Sequence, residues 1–175
     1  MIPVIAIDGP SASGKGTVAA QMQVGFSEDH VSLDGGDVGA LLRTEEASAA
    51  ASRVAARPAV RQALLARQRG FRRPPGLVAD GRDMGSIVFP DAPLKVFLTA
   101  DVGTRAQRRH KQLMEKGLYA KIEDVVEELR RRDERDMNRP IAPLKHYPDA
   151  VFLDTSGLSV DQAVEEILRR WREKS

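Results

Sequence analysis

Four short apolar runs punctuate the chain, at residues 3–7, 77–79, 94–98 and 150–153. Each is strand-sized and apolar at nearly every position, the pattern of strands covered on both faces. Three end in acidic or polar turns: Asp8-Gly9, Asp80-Gly81 and Asp154-Thr155-Ser156-Gly157. Helical patterns fill the intervals and predict helices over 14–23, 45–56, 59–72, 102–116, 122–135 and 159–171. Pro58 divides the second from the third. This alternation predicts an α/β fold, a parallel sheet with helices on both faces. Ligands in such folds sit at the carboxyl ends of the strands, so Asp8, Asp80, Asp83 and Asp154 are expected to gather there.

Two stretches interrupt the pattern. In the fifth predicted helix Ile122, Val125 and Leu129 form an apolar stripe, and the same steps then reach Arg132, Asp136 and Arg139. The plainer expectation is a solvated helix end with intrahelical pairs such as Arg132 with Asp136. The other is a charged face turned into a cleft. Residues 24–37 resemble a small exposed hairpin. No second core strand is apparent before residue 77.

The first run leads into Gly9-Pro10-Ser11-Ala12-Ser13-Gly14-Lys15-Gly16-Thr17. Strand, glycine-framed turn and helix start coincide, which defines a phosphate-binding loop of the P-loop NTPase type. The glycines let successive N–H groups point inward at phosphate oxygens. Lys15 adds charge, and the following helix adds its dipole. Lys15 is expected to be exposed until phosphate arrives. The usual Ser or Thr after the lysine is replaced by Gly16, with Thr17 next. Thr17 is thus the candidate Mg2+ contact, with the ion held mostly by phosphates and water.

Composition narrows the classes. The 175 residues suit a single domain. Basic residues number 27 against 25 acidic, and 20 of the basic ones are arginine, whose planar fork suits phosphate and carboxylate. The basic residues alternate with acidic ones and only 5% of residues are aromatic, which argues against nucleic acid. Without cysteine there is no thiolate chemistry, and a reducing cytoplasm is expected. No apolar run approaches a membrane span, and no secretory pattern opens the chain. His30, His110 and His146 are scattered and read as surface residues. In Asp80-Gly81-Arg82-Asp83-Met84-Gly85, Arg82 and Asp83 either face a substrate or close the loop as a local ion pair.

These segments resemble the bacterial cytidylate kinases, nucleoside monophosphate kinases that phosphorylate CMP and dCMP with ATP. Residues 5–17 carry the likeness, with Arg43-Thr44-Glu45-Glu46, residues 76–85, Val88-Phe89-Pro90-Asp91-Ala92-Pro93 and residues 132–139. The resemblance implies that residues 9–17 and Arg109 hold ATP. It makes Lys15, Arg82 and Arg132 catalytic, with Arg82 gripping the CMP phosphate. It implies that Arg61, Asp83 and Arg139 read cytosine, and that Ser52, Arg132 and Asp136 lie near the sugar or the moving phosphate. It divides the domain into a core (1–23 and 74–175), a monophosphate-binding region (24–73) and a lid (103–119). It implies a cytoplasmic monomer using ATP and Mg2+. The alternatives are a kinase for another small acceptor and a non-catalytic nucleotide- or RNA-binding module.

The likeness breaks near residues 21–24. Family members carry a second core strand there, a Tyr-Leu-Asp-Ser-Gly-Ala-Leu-Tyr-Arg-like stretch and an arginine that clamps the acceptor phosphate. Loss of a central strand is expected to be costly for folding.

Overall fold

The computed structural model describes residues 2–22, 32–33, 36–37, 44–115 and 117–174. Among these, four strands form one parallel sheet. They are β1 (Val4–Asp8), β4 (Leu77–Gly81), β5 (Leu94–Thr99) and β6 (Val151–Asp154), in the order β4-β1-β5-β6. A separate antiparallel pair joins β2 (Ser32–Leu33) to β3 (Gly36–Asp37), within the stretch expected to be a hairpin. The rest of that expectation, residues 24–31 and 34–35, lies outside the described residues, as do Gln23, Arg43 and Lys116.

The central strand explains the sheet. Every residue of β1 is buried, so it can be apolar on both faces. Ile5 and Ile7 pack toward α1 (Lys15–Met22) and α6 (Val160–Lys174), with Val18, Leu94, Val96, Leu98 and Ile167. Val4 and Ala6 point the other way, against Met84, Val88, Phe89 and Leu65 of α3 (Pro58–Arg69). Burying each large aliphatic side chain contributes about 1.5–3 kcal/mol. A further cluster, with Ala106, Leu113, Val125 and Leu129, joins α4 (Val102–Glu115) to α5 (Ile122–Asn138).

Thr44 caps α2 (Glu45–Ala55), accepting a hydrogen bond from the Ala47 amide at 3.2 Å. A π-helical turn over Met84–Val88, which periodicity does not predict, follows β4. The acidic residues at the strand ends divide by burial. Asp8 is fully buried, whereas Asp80 and Asp154 are exposed. The second core strand of the resemblance is not among the described residues, and β1 and β5 are nevertheless flanked on both sides.

Candidate active site

The loop over 9–17 is shaped by its glycines. A Cβ on Gly9 would collide with the Leu98 carbonyl, and Gly14 has φ +93°, where side chains are strained. Ser11 and Ser13 are buried. Lys15 is buried too, contrary to expectation, because its ammonium turns back and donates to the Pro10 carbonyl at 3.0 Å. Burial, with the Arg82 and Arg132 guanidiniums beside it, pulls Lys15 down to about 7, against a smaller upward pull from Asp80 and Asp136.

Arg82 connects three elements. It follows β4, donates from Nε to Asp136 on α5 at 2.8 Å and from Nη2 to the Ser11 hydroxyl of the loop at 2.9 Å. Asp136 is buried and accepts a second bond from Ser52 of α2 at 3.4 Å. The end of α5 is therefore a charged face turned inward onto Arg82 and Ser52, and the expectation of a solvated end is corrected. The apolar stripe explains this, since Leu129 and Val125 bury the same face about two and three turns before Asp136.

Asp83 is buried and paired with Arg61 of α3, which also donates to the Ala55 carbonyl at 3.2 Å. The expectation of a local Arg82–Asp83 pair gives way to two longer-range pairs. Burial raises the Asp83 carboxyl above its ordinary value, opposed by Arg61 and Arg139. Arg139 is buried as well, and burial lowers it from its ordinary value. Arg132 is half-buried on the same helix as Asp136.

A cavity of about 370 Å³ opens on the other side of the loop, within the range of small-ligand sites. Ala12, Ser13, Gly14 and Thr17 border it, as do Arg108 of α4 and Thr155 after β6. Arg108 donates to the Ser13 carbonyl at 3.1 Å and the Thr155 carbonyl at 2.7 Å. Arg109 is not among the cavity residues. Arg105, one helical turn earlier, is buried and donates to the carbonyls of Ala100 and Ser11 and to Asp133. The spacing of Arg105 from Arg108 and Arg109 marks one helix face, a signal that points to Arg105 but does not separate Arg108 from Arg109.

Sheet, loop and arginine–carboxylate cleft together define a P-loop kinase of the nucleoside monophosphate type. A solved structure of an uncharacterized protein from Eubacterium ventriosum shares this fold, with TM-score 0.64 and 17% identity over 99% of both chains. The model of the cytidylate kinase family matches residues 19–173. The cytidylate kinase of Bordetella bronchiseptica is 47% identical over 212 residues, covering 97% of this chain and 95% of the relative. That of Paraburkholderia phymatum is 48% identical, covering 97% and 93%.

The chain belongs to the cytidylate kinase family. The Bordetella alignment runs over 212 positions, although 97% of 175 residues is about 170. About forty positions of that relative therefore face no residue of this chain.

Proposed function

We propose that the chain transfers the γ-phosphoryl group of ATP to CMP or dCMP, giving ADP and CDP or dCDP. The observation that carries this is the Arg61–Asp83 pair, with Arg139 acting on Asp83, beside the Arg82–Asp136 pair. Cytosine offers acceptors at O2 and N3 and a donor at its amino group. Arg61 and Arg139 can donate to the first two, and Asp83 can accept from the third. Uracil has a carbonyl where cytosine has the amino group, so the Asp83 carboxylate would repel it.

An acceptor phosphate oxygen attacks the γ-phosphorus as the bond to the ADP oxygen breaks. Little covalent chemistry is required of the protein, so positioning and cationic stabilisation dominate. Arg82 holds the acceptor phosphate, and Arg132 stabilises charge on the moving group. Ser52 and Asp136 face the sugar. Residues 9–17 and the adjoining cavity hold ATP, with Arg109 on the lid. Lys15 exchanges the Pro10 carbonyl for a phosphate oxygen and gains a full charge in doing so.

No group of three or more His, Asp or Glu suited to a metal stands among the described residues, and Thr17 borders the cavity. Magnesium fits as an ion carried by the nucleotide phosphates and water, with Thr17 its protein contact, where it would neutralise phosphate charge.

In this reading residues 24–73 bind the monophosphate, 103–119 form the lid, and 1–23 with 74–175 form the core. The protein acts as a cytoplasmic monomer on small molecules, with neither nucleic acid nor membrane as partner. No helix among the described residues is long and apolar enough to cross a membrane. A coupled assay of ADP release tests the activity. Release that depends on CMP or dCMP is expected. ATP binding with no transfer to either would instead favour the non-catalytic module.

A further inference from the structure

Asp8 is fully buried at the end of β1, on the strand face of Val4 and Ala6. Three donors converge on its carboxylate: the Met84 amide at 2.7 Å, the Gly85 amide at 2.8 Å and the Tyr147 hydroxyl at 2.5 Å. The two amides open the π-helical turn. That turn closes on itself through Val88 N–H to the Asp83 carbonyl at 3.2 Å and Phe89 N–H to the Met84 carbonyl at 2.7 Å. Its first amides precede any carbonyl of the turn that they could reach, and Asp8 takes both. Burial and the Asp8 charge hold the Tyr147 phenol well above its ordinary value, so it remains a donor.

The proposed transfer uses neither Asp8 nor Tyr147. Yet the bonds join β1, the turn directly after Arg82 and Asp83, and the segment that follows Arg139. None of the three bonds reaches residues 9–17.

We propose that Asp8 and Tyr147 are positioning residues, a buried strut that sets the main chain at Met84 and Gly85 and so aims Arg82 and Asp83 at the acceptor nucleotide. This rests on the CMP kinase reading above. Displacement of the turn would then weaken the acceptor side and spare the ATP side.

Three changes strike the strut differently. Tyr147→Phe removes one donor. Asp8→Asn leaves one backbone N–H facing an amide NH2 in either orientation. Gly85→Ala places a Cβ against the Tyr147 hydroxyl. Two readouts decide. Hydrogen exchange at the Met84 and Gly85 amides needs no nucleotide, and it should speed up about tenfold or more in each variant. The KM for CMP should rise about tenfold while that for ATP stays within about twofold.

Unchanged exchange in Tyr147→Phe would overturn the proposal, as would KM values for both nucleotides that move together. Should Asp8→Asn fail to fold, Tyr147→Phe decides. A wild-type protein that transfers nothing to CMP would end the kinase reading instead, and exchange would then judge the strut alone.

Discussion

Lys15 shows how a single residue is prepared for an anion. Its ammonium is enclosed, bonded to Pro10 and lowered to about 7 by burial and by Arg82. An arriving polyphosphate would reverse that shift. Between about pH 7 and the ordinary lysine value, ATP binding should therefore draw up to one proton from solution. Calorimetry in buffers of different ionisation enthalpy reads this uptake, and Lys15→Met should abolish it. Uptake that persists in the variant would assign the proton elsewhere. The same change should lower turnover by about 10²–10³, the usual effect of losing one transition-state donor. The sign for stability is opposite. A folded-state pKa below the unfolded one means a cost that is full below about pH 7 and fades as pH rises toward the unfolded value. Without nucleotide at neutral pH, Lys15→Met should melt no lower than the wild type.

Asp83, paired with Arg61, is the residue that the proposed reading sets against the cytosine amino group. Asp83→Ala should weaken CMP by about 1–3 kcal/mol and leave ATP nearly unaffected. Titrations of each nucleotide would separate this from a purely structural pair with Arg61, for which both affinities would fall.

At the scale of elements, α4 and α5 carry the loop. Arg105 joins the end of β5, the loop at Ser11 and Asp133 of α5. Its removal would leave the half-buried Asp133 carboxylate without its partner, at a cost of about 1–3 kcal/mol. A urea midpoint for Arg105→Ala measures this. A loss well under about 1 kcal/mol, the scale of a surface pair, would remove Arg105 from the support of the loop.

The elements themselves were largely legible in the chain. The apolar runs mark all four strands, although only β1 and β5 are covered on both faces while the edge strands β4 and β6 are half-exposed, and the helices follow from spacing. Legibility failed where pairing is long-range. The period that carries α5 from Leu129 to Asp136 does not reveal whether its partner lies one turn away or on Arg82, 54 residues back. Nothing in Met84-Gly85-Ser86-Ile87-Val88 signals a π-helical turn, since its amides are satisfied by Asp8 from another strand. Residues 9–17 could be located from glycine and lysine spacing, but not the folding back of Lys15 onto Pro10. Arginine content pointed to α4 without distinguishing Arg108, which borders the cavity, from Arg109, which does not.

For the whole molecule, a short sheet supports a family site. β1 and β5 keep neighbours on both sides, and the loop, the cleft and the π-helical turn all lie at their carboxyl ends. The chain lacks about forty positions present in the Bordetella relative. On the proposed reading these include an arginine for the acceptor phosphate, and Arg82 and Arg132 are the residues that would hold it instead. Loss of one charge-assisted bond is worth about 1.5–3 kcal/mol. Assayed beside that relative, this protein should show a KM for CMP raised about tenfold or more, with a similar KM for ATP. Equal KM values for CMP would mean that other residues replace the missing clamp.

On the proposed reading the site selects a nucleotide by its cytosine base and directs the γ-phosphoryl group of ATP to that nucleotide's phosphate. A single competition tests it most directly. The protein is given ATP labelled at the γ-phosphate with CMP, dCMP, UMP and AMP together at equal concentration, and the products are separated. Label should appear in CDP and dCDP, with UDP and ADP formed from AMP together below about a tenth of the total, the discrimination expected when a site's buried polar groups are left unpaired. Label spread evenly over all four acceptors, or released only as inorganic phosphate, would contradict the account.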